Sequence, residues 1–121
     1  MNTSTIVFDL DDTICFPNHN ETDTYKKYGL ALPNVPVIEG MRKLSDAGYF
    51  ITILSSRRML THDGNLAKII MDVAEITEEW LANHKVPYDE IKYGKPYSST
   101  YYVDDKAMTP EMFCQKVNFM V

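Results

Sequence analysis

Cysteine is nearly absent from this chain. There are two, Cys15 and Cys114, and neither stands in the Cys/His spacing of a zinc site. At most one disulfide can form, and two reduced cysteines in a cytosolic protein is the simpler reading. Long apolar runs are missing too, so no segment reaches membrane-spanning length. The first residues, Met1-Asn2-Thr3-Ser4-Thr5, lack the basic and apolar regions of a secretory signal. Basic charge is in deficit: 12 Lys and Arg against 17 Asp and Glu leave a formal net charge of −5. That balance argues against wrapping nucleic acid and is silent about small substrates. No internal repeat or low-complexity segment is visible. The expectation is a cytoplasmic globular protein. With 121 residues, 45% of them hydrophobic and 24% charged, it has room for one packed domain, residues 1–121.

The chain is organised around Ile6-Val7-Phe8-Asp9-Leu10-Asp11-Asp12-Thr13. Its apolar start reads as a buried strand too short for a helix, running from about Thr5 to Leu10. Asp9 and Asp11 stand two residues apart, so an extended backbone puts them on one face. Two buried like charges need a counter-charge, and a hard divalent cation such as Mg2+ suits oxygen donors. About twenty mostly polar residues follow, a flap-like insertion at about residues 14–34. An excursion of that length beside an acidic motif reads as a cover over a site.

A helix is expected from about Pro36 to Ala47, with Ile38, Met41 and Leu44 on one face and Gly48 as its stop. Tyr49 to Leu54 is a β-branched and aromatic strand. Strand, crossover helix and strand in about fifty residues are the βαβ pattern of a parallel sheet. The longest helix should run from about Asn65 to His84, its apolar stripe including Trp80 explained by core packing. Glu90 to Tyr93 reads as a short third strand and Thr100 to Val103 as a fourth. Thr109-Pro110 reads as an N-cap and first turn of a short helix. Val117 to Val121 adds an edge strand or simply packs.

Each polar cluster falls just after a strand or in the turn beside one: Asp9, Asp11 and Thr13, then Ser55 and Ser56, then Lys95, then Asp104 and Asp105. In an open parallel α/β sheet the carboxyl ends of the strands share one edge, where ligands bind. Several carboxylates, two hydroxyls and a lysine gathered there suit a metal ion together with a phosphate group.

These four clusters, in this order, resemble the motifs of the haloacid dehalogenase (HAD) superfamily of phosphohydrolases. Asp9-Leu10-Asp11-Asp12-Thr13 matches its D-x-D-x-T motif, Ser55 its strand-end hydroxyl, Lys95 its lysine, and Asp104-Asp105 its acidic pair. The Cys15-Phe16-Pro17 start, the Gly64-Asn65 bend and the Gly94-Lys95-Pro96 turn further resemble small HAD-type proteins encoded with capsular polysaccharide genes. The resemblance implies a Rossmann-like three-layer α/β sandwich with a mostly parallel central sheet and no cap domain. It implies a Mg2+-dependent phosphatase working through an aspartyl-phosphate on a small phosphorylated substrate. A sugar phosphate of polysaccharide biosynthesis is the first expectation, a nucleotide or nucleic-acid end the second. Asp9 would be the nucleophile and Asp11 the acid and base, its proton favoured by neighbouring carboxylates. Mg2+ would be held by Asp9, the Asp11 carbonyl and Asp104, with Asp105 assisting. Ser55 and Lys95 would grip the phosphate, and Lys95 would restrain Asp9.

Ser56, Arg57 and Arg58 are candidate contacts to the rest of the substrate, although arginines in a loop more often face solvent. His19 and His62 show no local partner, Lys26 and Lys27 read as a solvated face, and Cys15 has no base to activate it. Asp12 reads as a turn residue at a place where relatives often carry glycine. The resemblance implies that a capless enzyme of this kind either acts on large substrates or borrows a neighbouring subunit as a lid. The apolar residues Tyr25, Tyr28, Leu30 and Leu32 would serve that role in a homo-oligomer. The rival readings are a receiver-like phosphoacceptor domain, a sugar-nucleotide transferase using D-x-D, and a HAD-fold subunit without catalysis. A receiver would need an aspartate after a central strand, where this chain has Ser55-Ser56. The transferases are usually much longer, and the presence of both Asp9 and Asp11 argues against an idle fold.

Overall fold

The structure, a computed structural model, describes residues 4–96, 101 and 103–121. Strand β1 (Thr5–Asp9) lies parallel to β4 (Phe50–Ser55), and β4 lies parallel to β5 (Glu90–Tyr93), in the order β1-β4-β5. The register pairs Asp9 with Leu54 and Ser55 with Tyr93, so the carboxyl ends of all three strands lie along one edge. Ile51, Thr52 and Ile53 are all buried. Consecutive residues of a strand face opposite ways, so β4 is covered on both faces. Helix α1 (Val35–Asp46) connects β1 to β4, and α2 (Leu66–Asn83) connects β4 to β5. The result is an α/β sandwich. Among the described residues no helix is long and apolar enough to cross a membrane.

Helix α3 (Pro110–Met120) begins as the sequence suggests: Thr109 accepts a hydrogen bond from the Met112 N–H at 3.1 Å, and Pro110 opens the first turn. It runs on to Met120, so the edge strand considered for 117–121 does not form. Phe113 and Val117 are buried and make the helix amphipathic, which a terminal strand would not allow. Phe113 meets Phe8 edge-on at 5.1 Å and lies against Gly40 of α1, where a side chain would collide with its ring. The strand expected at Thr100–Val103 falls on residues 100 and 102, which lie outside the described residues. Tyr101 and Val103 carry no regular structure.

The insertion after β1 is folded against the domain. Strand β2 (Cys15–Phe16) pairs antiparallel with β3 (Leu32–Pro33), and a π-helical turn spans Tyr25–Gly29. Tyr28 is buried with Ile69 and Val73 of α2, and the Trp80 indole N–H donates to the Ala31 carbonyl at 2.9 Å. Tyr28 therefore packs inside its own chain and is not offered to a neighbour. Tyr25, Leu30 and Leu32 are exposed.

Candidate active site

Where β1 ends, the chain turns sharply. The N–H groups of Thr13, Ile14 and Cys15 all point to the Leu10 carbonyl, at 3.3, 2.8 and 3.3 Å. Asp12 turns the corner at φ 63°, a left-handed conformation that aspartate tolerates better than most residues and glycine adopts freely. This geometry explains why glycine would also serve there. The turn leaves the Asp9 and Asp11 side chains in a cleft of about 340 Å³. Asp12, His19, Lys27, Tyr28, Ser56, Arg57, Arg58 and Lys95 join them in lining it.

The Lys95 ammonium stands 3.1 Å from Asp9 Oδ1, and the Thr13 hydroxyl reaches Asp9 Oδ2 at 3.5 Å. Lys95 is set by the main chain: its N–H donates to the Ser55 carbonyl at 2.9 Å, continuing the β4–β5 ladder past Gly94. Burial pushes the Asp9 carboxyl above its ordinary value, and Lys95 opposes that shift. Asp9 is thus a partly sheltered carboxylate with one cation beside it.

Asp11 has a different partner from the one expected. Its nearest charged neighbour is a guanidinium, not another carboxylate. Arg57 Nε donates to Asp11 Oδ1 and Oδ2 at 3.1 and 3.0 Å, and Nη2 donates to Oδ1 at 2.8 Å. Nη1 donates to the Thr77 hydroxyl at 2.8 Å, and the guanidinium lies 4.2 Å above the Tyr28 ring. Arg57 is only 3% exposed. Burial works against its charge, but the hydrogen bonds and charge of Asp11 outweigh that and hold its pKa above the ordinary value. The loop arginine expected to face solvent or substrate is an internal clamp on Asp11. The Cys15 thiol donates to the same carboxylate at 3.4 Å, and its pKa is raised by burial and by Asp11. Cys15 is therefore an inert part of the wall.

The remaining sequence candidates divide. Ser56 and Arg58 line the cleft, whereas Ser55 is buried and its hydroxyl accepts the Arg57 N–H at 3.1 Å. Both loop histidines have partners that sequence spacing did not reveal. His19 Nε2 lies 3.0 Å from both Asp12 oxygens, and His62 Nε2 lies 2.9 Å from Asp72 Oδ2. Lys27, read as part of a solvated face, lines the cleft beside Tyr28. The sequence marked Tyr28 only as a lid residue and Thr77 not at all, because each meets Arg57 through a contact between distant parts of the chain.

The expected Mg2+ donors, Asp9, the Asp11 carbonyl, Asp104 and Asp105, are not brought together among the described residues. Asp104 and Asp105 are exposed and do not line the cleft, and Asp104 instead accepts the Lys106 N–H at 2.8 Å. Among the described residues no group of three His, Cys, Asp or Glu side chains is arranged to hold a metal. Among the described residues β1 pairs with β4 alone. Within the cleft, Lys95 stands beside Asp9 and Arg57 beside Asp11.

Fold and cleft together define an α/β domain with carboxylates and cations gathered at one edge of its sheet. No family model matches the chain, and no curated protein matches it. Among solved structures, a structural-genomics target from Vibrio cholerae is 35% identical over 97% of this chain and 95% of that one, with a TM-score of 0.82. The chain belongs to the same family as that Vibrio cholerae protein. Two structures of the Pnkp1/Rnl/Hen1 complex, one described as an RNA repair complex, also match in shape. They are 24% and 21% identical, with TM-scores of 0.54 and 0.51, over 94% and 98% of this chain and 34% and 31% of theirs. These two likenesses bear on the fold alone, which is consistent with the HAD-like core that the motifs resemble.

Proposed function

We propose that the protein is a phosphatase that hydrolyses a phosphate monoester through an aspartyl-phosphate on Asp9. One observation carries this reading: the Asp9 carboxylate sits at the carboxyl end of β1, partly sheltered, with the Lys95 ammonium 3.1 Å away and a cation-lined cleft before it. An Asp9 oxygen attacks phosphorus, and the bond from phosphorus to the organic oxygen breaks. The leaving oxygen takes its proton from water in the cleft, because the Asp11 oxygens already accept three hydrogen bonds from Arg57. Water then attacks phosphorus, Asp11 takes the water's proton, and the bond to Asp9 breaks to release inorganic phosphate. Lys95 offsets the repulsion between the Asp9 carboxylate and the incoming phosphate. Arg57 holds Asp11 in one orientation throughout.

A Mg2+ requirement belongs to the proposal on donor chemistry alone. Asp9, Asp104 and Asp105 are hard oxygen donors, but the described arrangement does not bring them together, so no step here is assigned to the ion. A sugar phosphate, as in polysaccharide biosynthesis, is the first substrate proposed. The second is a phosphorylated nucleic-acid end. Its support is the shape shared with a chain of an RNA repair complex, and the net charge of −5 stands against it.

The test is phosphate release from p-nitrophenyl phosphate, a panel of sugar phosphates and a 3′-phosphorylated oligonucleotide, each with Mg2+ and with a chelator. Release that Asp9→Asn abolishes supports the proposal. Release that survives Asp9→Asn refutes the assignment of the nucleophile. No release from any ester refutes the phosphatase reading.

A further inference from the structure

Beyond Asp9 and Lys95 the cleft holds two more cations that the chemistry above does not use. The Tyr28 ring lies 5.3 Å from Lys27 Nζ and 5.3 Å from the Arg58 guanidinium carbon, so one buried ring carries both. Arg58 is held from behind. Its Nη2 donates to the Thr24 hydroxyl at 3.1 Å, and its Nε stands 3.3 Å from Asp72 Oδ2. That Nε contact does not meet hydrogen-bond geometry, and the buried N–H has no acceptor among the described residues. Arg58 also occupies a left-handed backbone conformation, φ 60°, unusual for a long side chain. Lys27 has no carboxylate partner among the described residues. Taken together, Lys27, Arg57, Arg58 and Lys95 face Asp9, Asp11 and Asp12. Asp11, Asp72 and Asp9 stand beside Arg57, Arg58 and Lys95, so Lys27 is the cation of the four without a carboxylate among the described residues. An ammonium left unbalanced in a concave place draws anions there.

We propose that Lys27 and Arg58 form a second anion subsite, which takes a phosphate group carried on the organic part of the substrate. The preferred substrate class is then a small bisphosphorylated molecule. Tyr28 lies beside both cations, and Lys27 supplies a charge that no carboxylate balances among the described residues. This inference rests on the phosphatase reading, since it places the scissile phosphate at Asp9.

The experiment compares kcat/KM for glucose 1,6-bisphosphate and glucose 6-phosphate. A charge-assisted contact to a second phosphate is expected to favour the bisphosphate by roughly tenfold or more, mainly through KM. Lys27→Gln should remove most of that preference, Arg58→Gln should lower it, and Lys27→Arg should restore it. A ratio near one in the unaltered protein, or a Lys27→Gln effect equal on both substrates, overturns the subsite. Calorimetry on the Asp9→Asn protein separates the two claims. If no ester is hydrolysed, the phosphatase reading falls. The subsite then stands or falls on whether glucose 1,6-bisphosphate binds more tightly than glucose 6-phosphate and loses that advantage when Lys27→Gln is added.

Discussion

Arg57→Ala is the substitution for which the structure sets the clearest magnitude. The Arg57 side chain is 1% exposed and that of Asp11 is 21% exposed, so the pair is largely removed from water. Three donor–acceptor contacts join the two, the third nitrogen binds Thr77, and the guanidinium stacks on Tyr28. Truncation leaves the partly buried Asp11 charge with the weak Cys15 thiol as its one side-chain donor among the described residues. Breaking a buried pair by removing one partner costs about 3–5 kcal/mol. For a domain of this size each kcal/mol lowers Tm by roughly 3–6 °C, so Tm should fall by on the order of 10–20 °C.

Urea unfolding followed by tryptophan fluorescence measures this well, because Trp80 is buried against the docked insertion. A double-mutant cycle isolates the pair. Adding Asp11→Asn to Arg57→Met removes both charges, and the double variant should be more stable than the sum of the single losses predicts, by about 2 kcal/mol or more. The destabilisation should persist in high salt, since a buried pair is screened little. A loss under about 1 kcal/mol, the range of exposed ion pairs, or additive single losses would refute the placement of Arg57 as an internal clamp.

Asp9→Asn should abolish phosphate release without lowering stability at neutral pH. A raised carboxyl pKa means that the Asp9 contribution to stability is fully present below its unfolded value and lost as pH rises through the folded one, so the neutral amide avoids that loss; a marked fall in Tm at pH 7 would contradict this. For the same reason the acidic limb of the rate profile should lie above the ordinary aspartate value of about 3.9, because Asp9 must be ionised to attack; a midpoint at or below that value would count against it. Cys15 should resist thiol reagents in the native state and react only on unfolding, while half-buried Cys114 reacts first, as quantified by mass spectrometry. Gly40→Ala should destabilise by about 1–3 kcal/mol in the same urea assay, because its Cβ would stand 2.6 Å from the Phe113 ring.

Much of the scaffold was legible because its signals are local. The apolar run before Asp9 marked β1, the β-branched run at 50–54 marked β4, and Glu90 to Tyr93 form β5 as read. Asn65 caps α2 by accepting the Lys68 N–H at 3.2 Å, one residue from where the stripe of apolar residues suggested a start. Proximity of Asp9 and Lys95 was also legible, since parallel strands bring their carboxyl ends to one edge. Partner choice inside the cleft was not. Nothing in the spacing of Arg57 says that it turns inward, because inward turning depends on three groups from distant places: Asp11 after β1, Thr77 on α2 and Tyr28 in the insertion. The histidines escaped for the same reason, as His62 meets Asp72 only across the loop that enters α2.

The insertion links these observations. A twenty-residue excursion that merely covered a site would keep its apolar residues for closure. Here Tyr28 is buried against Ile69 and Val73, and its ring lies beside the arginine that orients Asp11 and the two cations that face the cleft. Docking of the insertion and arrangement of the charges are therefore one packing event. Removing the ring would strip an aromatic face from Arg57, worth about 1–2 kcal/mol when desolvated, and would also release Lys27 and Arg58 from a common support. The cleft electrostatics thus depend on a hydrophobic contact with α2, which is why an uncharged residue can govern how this edge of the sheet meets an anion.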